Sequence, residues 1–345
     1  MIKVCVIGYG TIGKRVADAI LKQSDMELIG IADVVPDYKV KVAYSKGINV
    51  YVPKEKLESF ESAGIEPQGT IEELLDKVDV VVDATPAGIG AKNKSTLYID
   101  RKVKVIFQGG EKANVANVSF SALANYSKAV GKRFVRVVSC NTTAILRVIA
   151  AYLNNGYKIE KVRVNITRRG ADPHEYRKGP INDVILDPPK IPSHHAEDVK
   201  SVIPDINIVT SAIAIPVTIT HLHFVNIIFK DGISRDEALE TLYRTPRIML
   251  FESSYGFRSS AQVIEWARDI GRHRADVPEN IIFKDTVSVI DRNELMFLMA
   301  VHQESIVIPE NIDAIRAVSG YTNMWSSIRK TDEALGLFME GKVYG

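Results

Sequence analysis

Residues 3–13 restrict the possible folds more than any other stretch of this chain. Residues 3–7 (KVCVI) form a short apolar run with strand character that leads into Gly8-Tyr9-Gly10-Thr11-Ile12-Gly13. Residues 14–22 then carry Val16, Ala17, Ile20 and Leu21 at helical spacing. Strand, G-x-G-x-x-G and helix in that order are the fingerprint of a dinucleotide-binding βαβ unit. Each glycine has a reason. Gly8 permits the tight turn, Gly10 lets the main chain approach a pyrophosphate, and Gly13 lets the helix pack closely on the strand. The phosphates then meet the helix N-terminus. A second strand, residues 28–32, ends in Asp33, 20 residues after Gly13, where a carboxylate hydrogen-bonds the adenosine ribose. Such an acid favours NAD, because a 2′-phosphate would meet like charge. Lys39 and Lys41 lie close in sequence and keep NADP possible. The plainer alternative is a glycine-rich turn with no ligand.

Alternation of strand and helix continues through the first half. Thr70 can cap a helix over residues 72–77, and residues 78–84 (VDVVVDA) form a near-continuous apolar run suited to a buried parallel sheet. Thr85-Pro86-Ala87-Gly88 breaks it at the carboxyl end, where ligands collect in open α/β sheets. Residues 103–107 are a further strand, followed by Gln108-Gly109-Gly110-Glu111. These two glycines suit either close approach to a cofactor or a plain turn.

The last strand of this half, residues 135–139, delivers Cys140 to the start of a helix marked by Ala144, Ile145, Val148, Ile149 and Tyr152. Ser139 or Asn141 can cap its first turn. Unpaired N–H groups and the positive end of the helix dipole then converge on the sulfur and favour the thiolate. The same donors suit an oxyanion formed on a carbonyl that Cys140 attacks. A buried small hydrophobe is the alternative.

Length and composition bound the class. A chain of 345 residues predicts two domains. With 46% hydrophobic and 25% charged residues it reads as a globular protein, and 44 basic against 42 acidic residues leave no field that points to nucleic acid or an anionic membrane. Two cysteines, Cys5 and Cys140, give no disulfide framework. The N-terminus enters a strand without a signal-peptide pattern, and no apolar run approaches the ~18 residues of a membrane span. A cytoplasmic protein is expected.

From residue 158 the pattern changes. Residues 162–167 (VRVNIT) alternate as a half-buried strand does, closed by Arg168 and Arg169, which suit either solvent or phosphate. Residues 179–196 are irregular, with Pro180, Pro188, Pro189 and Pro192, and end in Ser193-His194-His195. A loop of that length suggests function. No carboxylate or cysteine stands at ligand spacing in it, so anion or substrate contact is expected there and no metal. Residues 216–229 (PVTITHLHFVNIIF) read as a strand whose period of two puts His221 and His223 on one face with Ile219 and Val225. Either histidine serves as a base toward Cys140, or both are satisfied core residues. Residues 294–301 form another strand, running into His302-Gln303-Glu304-Ser305, and Pro309 opens a final helix over residues 310–318.

The motifs GYGTIGKRVADAI, FQGGEKA, VVSCNTT, PSHHAEDV, THLHF and AVHQESIVIPENIDAIRA, taken together, resemble the archaeal branch of glyceraldehyde-3-phosphate dehydrogenase over nearly the whole chain. The resemblance implies an α/β fold. An N-terminal Rossmann dinucleotide-binding domain (1–139 and 304–345, the C-terminal helix returning to it) would join an α+β catalytic domain (140–303) with a mixed sheet. It implies phosphorylating oxidation of D-glyceraldehyde 3-phosphate to 1,3-bisphosphoglycerate by a homotetramer, with the aldehyde and inorganic phosphate as partners. Carried over by motif, Cys140 is the nucleophile and His221 the base, while Thr11, Ile12, Gly110, Arg168 and Gln303 touch the cofactor. Ser139, Asn141, His194 and His195 touch the substrate, and Thr142 and Arg169 join the His194-His195 pair as candidates for the two phosphate sites. Bacterial and eukaryotic relatives carry their histidine on the strand that here reads NITRRG; its absence fits the archaeal arrangement. Archaeal relatives often have Lys-Thr after the second strand and prefer NADP, whereas this chain has Asp33-Val34. Other cysteine-dependent semialdehyde or acyl-phosphate dehydrogenases share the layout, and a non-enzymatic nucleotide-binding module is the remaining alternative.

Overall fold

The computed structural model describes every residue except 173, 174, 176–178, 180 and 181. Pro180, one of the prolines of the irregular stretch, lies outside the described residues. The chain divides into two compact units, Met1–Ser139 with Ile308–Leu335, and Cys140–Val307 with Gly336–Gly345.

The strands are β1 Ile2–Ile7, β2 Met26–Ala32, β3 Val50–Val52, β4 Gly69–Thr70, β5 Val80–Asp83, β6 Lys104–Phe107, β7 Val118–Phe120, β8 Phe134–Val137, β9 Ile159–Arg169, β10 Ile185–Leu186, β11 Ile208–Ile215, β12 His221–Phe229, β13 Ile248–Phe251, β14 Asn280–Phe283, β15 Ser288–Ile290 and β16 Glu294–Val301. The helices are α1 Thr11–Leu21, α2 Tyr38–Ser45, α3 Leu57–Ser62, α4 Ile71–Leu75, α5 Ile89–Asn93, α6 Ala122–Ala129, α7 Cys140–Asn154, α8 His194–Lys200, α9 Arg235–Arg244, α10 Ser260–Asp269, α11 Ile308–Val318 and α12 Met324–Leu335.

In the first unit eight strands form one sheet in the order β4-β3-β2-β1-β5-β6-β8-β7. Every ladder is parallel. Parallel strands need both faces covered, and the inner strands accordingly read as unbroken apolar runs: Val80, Val81, Val82 and Val4, Cys5, Val6 are all fully buried. The order reverses between β1 and β5, and the carboxyl end of such a switch point is where α/β sheets bind ligands. Thr70 caps α4 with a reciprocal capping box to Glu73.

The C-terminal segment returns to this unit at Ile308, not at residue 304. Arg316 on α11 is 2% exposed and makes a two-pronged pair with Asp25, at 2.8 and 2.9 Å, while also bonding Gln23 and Thr331. A second helix, α12, follows the one expected. Its buried side is Ser327, Ile328, Thr331 and Asp332, and the Ser327 and Thr331 hydroxyls both donate to Asp313 at 2.7 Å. A face held by hydroxyl–carboxylate bonds gives no apolar stripe, which is why the sequence pattern stopped at residue 318.

The second unit holds a mixed sheet, β10-β11-β9-β12-β16-β14-β13, with β15 on β16. β9 pairs parallel with β11 and antiparallel with β12. β12 starts at His221, because the chain bends over residues 216–220 after β11, with Val217 N–H donating to the Ile215 carbonyl at 2.8 Å, so Ile219 lies outside the strand and is exposed. The last ten residues also belong here. Phe338 N–H donates to Glu279, and Lys342 Nζ to the Tyr243 and Ile248 carbonyls. The helix α7 is buried from Asn141 through Tyr152, a central helix rather than an amphipathic surface one. Arg147, fully buried in its middle, donates to the carbonyls of Pro278 and Ile306.

Candidate active site

In the first unit the glycine loop fits a dinucleotide. Gly8 has φ +87°, and a Cβ there would stand 2.8 Å from the Thr85 nitrogen at the end of β5. A Cβ at Gly13 would stand 1.9 Å from the Gly8 carbonyl oxygen, whereas one at Gly10 would meet nothing within 4 Å. Turn, close packing and open approach thus fall on the three glycines as their spacing predicts. The helix α1 begins at Thr11, three residues before the expected start, so Thr11, Ile12 and Gly13 form its first turn. Its N-cap, Gly10, supplies no side-chain bond and no acid stands in that turn, so the dipole there is open to a phosphate. Asp33 accepts from Tyr9 N–H at 2.7 Å and from the Val34 and Val35 N–H groups. Three donors leave one lone-pair direction of the carboxylate for a ribose hydroxyl. Lys39 is paired with Asp37 at 2.7 Å, so its charge is already matched. Of the two glycines after β6, Gly109 lies against protein: its Cβ would stand 2.2 Å from the Ser139 nitrogen. Gly110 would make only ordinary contacts.

In the second unit Cys140 is the first residue of α7 and is half-buried. Its sulfur lies 3.5 Å from His221 Nε2. On the other side of that ring, Arg169 N–H donates to Nδ1 at 2.9 Å. Because an amide N–H only donates, Nδ1 is the acceptor and the neutral ring carries its proton on Nε2, facing the sulfur. Burial, with His223 and the two arginines adding to it, holds His221 well below the ordinary histidine range. The neutral ring is therefore a donor toward Cys140. This departs from the base expected of it, since taking a proton at Nε2 would first require one on Nδ1, opposite another N–H.

The thiol also departs from expectation. Burial pushes Cys140 up to about 11, against Arg168, Arg169 and the main-chain N–H groups of Asn141 and Cys140, which all pull it down. The helix N-terminus does stabilise the thiolate, but desolvation is the larger effect in the resting chain.

The neighbouring candidates separate into those open to a ligand and those already engaged. The Arg169 side chain is 1% exposed and bonds Gln303 from Nε, Thr218 O and Glu304 from Nη1, and Asp172 from Nη2. All its nitrogens are engaged within the protein, so a phosphate there would have to displace one of these partners. Arg168 is one-third exposed beside Asp187 and carries the largest charge influence on Cys140. Thr142 is fully buried and donates to Asp198 at 2.7 Å, so its hydroxyl is turned to protein in this structure. Asn141, 2% exposed, bonds His223 at 2.8 Å and His195 at 3.2 Å. Its side chain is turned to these two rings, and its N–H faces the sulfur. The His194-His195 pair opens the helix α8 rather than ending a loop. His194 is exposed, and His195 is 2% exposed with both ring nitrogens bonded within the protein. Gln303 is half-buried against Arg169, and Ser139 is half-buried at the end of the first unit.

A family model described as glyceraldehyde 3-phosphate dehydrogenase, C-terminal domain, matches residues 139–307. The chain is 54% identical to a glyceraldehyde-3-phosphate dehydrogenase of Pyrobaculum arsenaticum, with 100% of both chains covered. It is 53% identical to one of Saccharolobus islandicus, with 98% of each covered. The chain belongs to the glyceraldehyde-3-phosphate dehydrogenase family. Residues 2–122 also match a model for the N-terminus of dihydrodipicolinate reductase, a second likeness carried by the half that holds the glycine loop. Within the family frame, sequence reasoning missed Glu304, which is 4% exposed and joins Arg169 at 2.6 Å to His302 at 3.1 Å. Burial opposes its charge, yet His302 and Arg169 hold it below the usual carboxylate range. Its signal was present in HQES, directly after an apolar strand. Ser193, Thr210 and Asp198 were missed as well, and no local pattern marks them.

Proposed function

We propose that this chain oxidises D-glyceraldehyde 3-phosphate to 1,3-bisphosphoglycerate with inorganic phosphate and a nicotinamide cofactor. The observation that carries the reading is Cys140 at the head of α7, faced by His221 Nε2 and by main-chain N–H donors. The Cys140 thiolate adds to the aldehyde carbon, giving a hemithioacetal whose oxygen bears the charge. Donation from Nε2 of His221 and from the N–H groups at the start of α7 holds that oxyanion. Loss of hydride from this carbon leaves the Cys140 thioester; a nicotinamide, when bound, would supply the hydride acceptor. Phosphate oxygen then attacks the Cys140 thioester, and the thiolate leaves as the acyl phosphate forms. The thioester keeps the energy of oxidation that water would otherwise release. Once the thiol proton has gone to solvent, the alkoxide forms directly, so the sequence needs a donor at His221 and no base.

In the first unit Gly8, Gly10, Thr11, Ile12, Gly13 and Gly110 would hold the dinucleotide, with Asp33 toward the adenosine ribose; Arg168 and Gln303 are the further cofactor contacts that the family resemblance implies. NAD is the preferred form, since Asp33 would oppose a 2′-phosphate and Lys39 is matched by Asp37. Ser139, the N–H of Asn141 and exposed His194 meet the substrate. The reading is of a cytoplasmic homotetramer. Supporting self-association, Leu186, Val217, Ile219, Leu222 and Phe224 of the second unit are exposed apolar residues. No helix among the described residues is long and apolar enough to cross a membrane.

The test is nicotinamide reduction followed by absorbance with glyceraldehyde 3-phosphate or aspartate semialdehyde, with and without phosphate, and with NAD or NADP. Phosphate-dependent reduction of NAD by the first aldehyde is expected. Preference for the semialdehyde would move the chain to the rival enzyme class, and no turnover of either would leave a binding module. Light scattering should return the mass of four chains.

A further inference from the structure

The buried polar groups behind Cys140 form one continuous chain of hydrogen bonds. His223, fully buried, places Nε2 at 2.8 Å from Asn141 Oδ1. Asn141 Nδ2 stands 3.2 Å from His195 Nε2. His195 Nδ1 is 3.1 Å from Ser193 Oγ, which is 2.7 Å from Thr210 Oγ1. Thr210 closes the path by donating to the Ser193 carbonyl and accepting from Ala196 N–H. Every residue on this path is at most 2% exposed.

Donor and acceptor roles give the path a direction. Asn141 Oδ1 only accepts, so His223 carries its proton on Nε2. Asn141 Nδ2 only donates, so His195 Nε2 is bare and its proton sits on Nδ1, donated to Ser193. Ser193 then donates to Thr210. Each ring is used in a single neutral tautomer, and His195 is fixed in the Nδ1–H form. Both rings lie far below the ordinary histidine range, His223 near 3 and His195 near 2, chiefly because burial disfavours their charged forms. The order of donors therefore persists through neutral pH.

We infer that His195 and His223 are positioning residues that clamp the Asn141 side chain between two neutral rings, and so hold the first turn of α7 with its N–H groups aimed at the Cys140 sulfur. This rests on the reading of Cys140 as the nucleophile. Both ring nitrogens of His195 are bonded within the protein, so a substrate contact by the ring would compete with the clamp. A second tie acts on the same turn, since Asp198 of α8 accepts from Thr142. The helix α8 is thereby fastened to the start of α7 at two successive residues, Asn141 and Thr142. Apart from Nδ1 of His223, which has no partner, each side-chain polar atom on the path is bonded, and a buried network bonded in this way favours one conformation.

The test compares full-length wild-type protein with His195→Gln, His195→Leu and Ser193→Ala. Two rates are read: alkylation of Cys140 by iodoacetamide at neutral pH, and kcat and KM for the aldehyde. Cys5 is fully buried, so the label reports Cys140. Glutamine can offer an amide oxygen where Nε2 accepts, whereas leucine cannot. His195→Leu should lower alkylation and kcat together by roughly 10- to 100-fold, the cost of a loosened reacting group, with KM little changed. His195→Gln should recover most of the alkylation rate, and Ser193→Ala should fall between. In ¹⁵N-histidine spectra one ring should show the Nδ1–H tautomer, unchanged by substrate and lost in His195→Gln. Wild-type alkylation in both His195 variants with a raised KM would overturn the inference and return His195 to the substrate. If His195→Leu does not fold, His195→Gln and Ser193→Ala decide on the same readouts. A wild-type chain that leaves the aldehyde untouched defeats the proposed activity, while the order of alkylation rates still decides the clamp.

Discussion

The main-chain N–H of Arg169 donates to Nδ1 of His221 at 2.9 Å, and Nε2 of the same ring lies 3.5 Å from the Cys140 sulfur. Backbone at the end of β9 thus sets which ring nitrogen carries the proton, and the side chain presents it to the Cys140 sulfur. His223, on the same face of β12, points Nε2 at Asn141 instead. Two histidines of equal standing in the sequence have different partners in the fold.

Donation from Nε2 separates two substitutions that a base role would not. His221→Gln keeps an N–H near the Nε2 position and His221→Leu removes it. Loss of an oxyanion donor costs about 10² to 10³ in kcat, so His221→Leu should fall in that range and His221→Gln should remain at least about ten times faster than it. Pre-steady-state hydride transfer is the measurement. Equal and complete loss in both would restore the base. Cys140→Ser should abolish turnover while cofactor binding, followed by fluorescence quenching, stays within about threefold of wild type.

The adjacent arginines should behave differently on removal. Arg168 is one-third exposed and lowers the Cys140 pKa most among the charged groups. Arg168→Leu should therefore shift the pH profile of iodoacetamide alkylation upward while leaving urea stability nearly unchanged. Arg169→Leu strands the buried carboxylate of Glu304, and breaking such a pair costs about 3–5 kcal/mol. A large stability loss in Arg168→Leu, or none in Arg169→Leu, would reverse the assignment.

Cofactor choice is addressed at Asp33. Its carboxylate is fixed by three N–H donors, and any 2′-phosphate near it meets fixed negative charge. Asp33→Ser keeps a short acceptor and removes that charge. The ratio of kcat/KM for NAD over NADP should fall at least about tenfold, equivalent to ~1.4 kcal/mol. An unchanged ratio would show that the carboxylate takes no part in the choice.

How much of this was legible in the sequence follows from how local each signal is. The roles of Gly8, Gly10 and Gly13 depend on bonds within one βαβ turn, so their spacing alone carried them. Cys140 at a helix start was legible for the same reason. Engagement is not local. Arg169, Asn141, Thr142 and His195 have the chemistry of ligand-binding residues, and partners from 49 to 135 positions away hold them in the fold. The helix α12 escaped because its buried face is built from hydroxyls against Asp313, and hydrophobic periodicity is blind to such a face. The direction of the thiol shift was missed because a helix dipole is visible in sequence whereas desolvation is not.

The three buried histidines around Cys140 give the second unit an acid-sensitive stability. His221, His223 and His195 are held below the ordinary value near 6.5, chiefly by burial, with His223 near 3 and His195 near 2. In the unfolded chain each takes up a proton as pH falls through about 6.5, while in the folded chain each stays neutral. The unfolded state binds more protons across that interval, so stability rises with pH there and is lost on acidification. The loss begins below the unfolded value and continues down to about 3 for His223 and about 2 for His195. Each histidine contributes ~1.4 kcal/mol per pH unit once the unfolded form is fully protonated. Urea midpoints measured from pH 7.5 down to about 5 should therefore fall steeply, and the slope should lessen in His223→Gln, whose amide can keep the bond to Asn141 without titrating. A midpoint that is flat over this range, or a slope unaltered in His223→Gln, would mean that these rings protonate without unfolding.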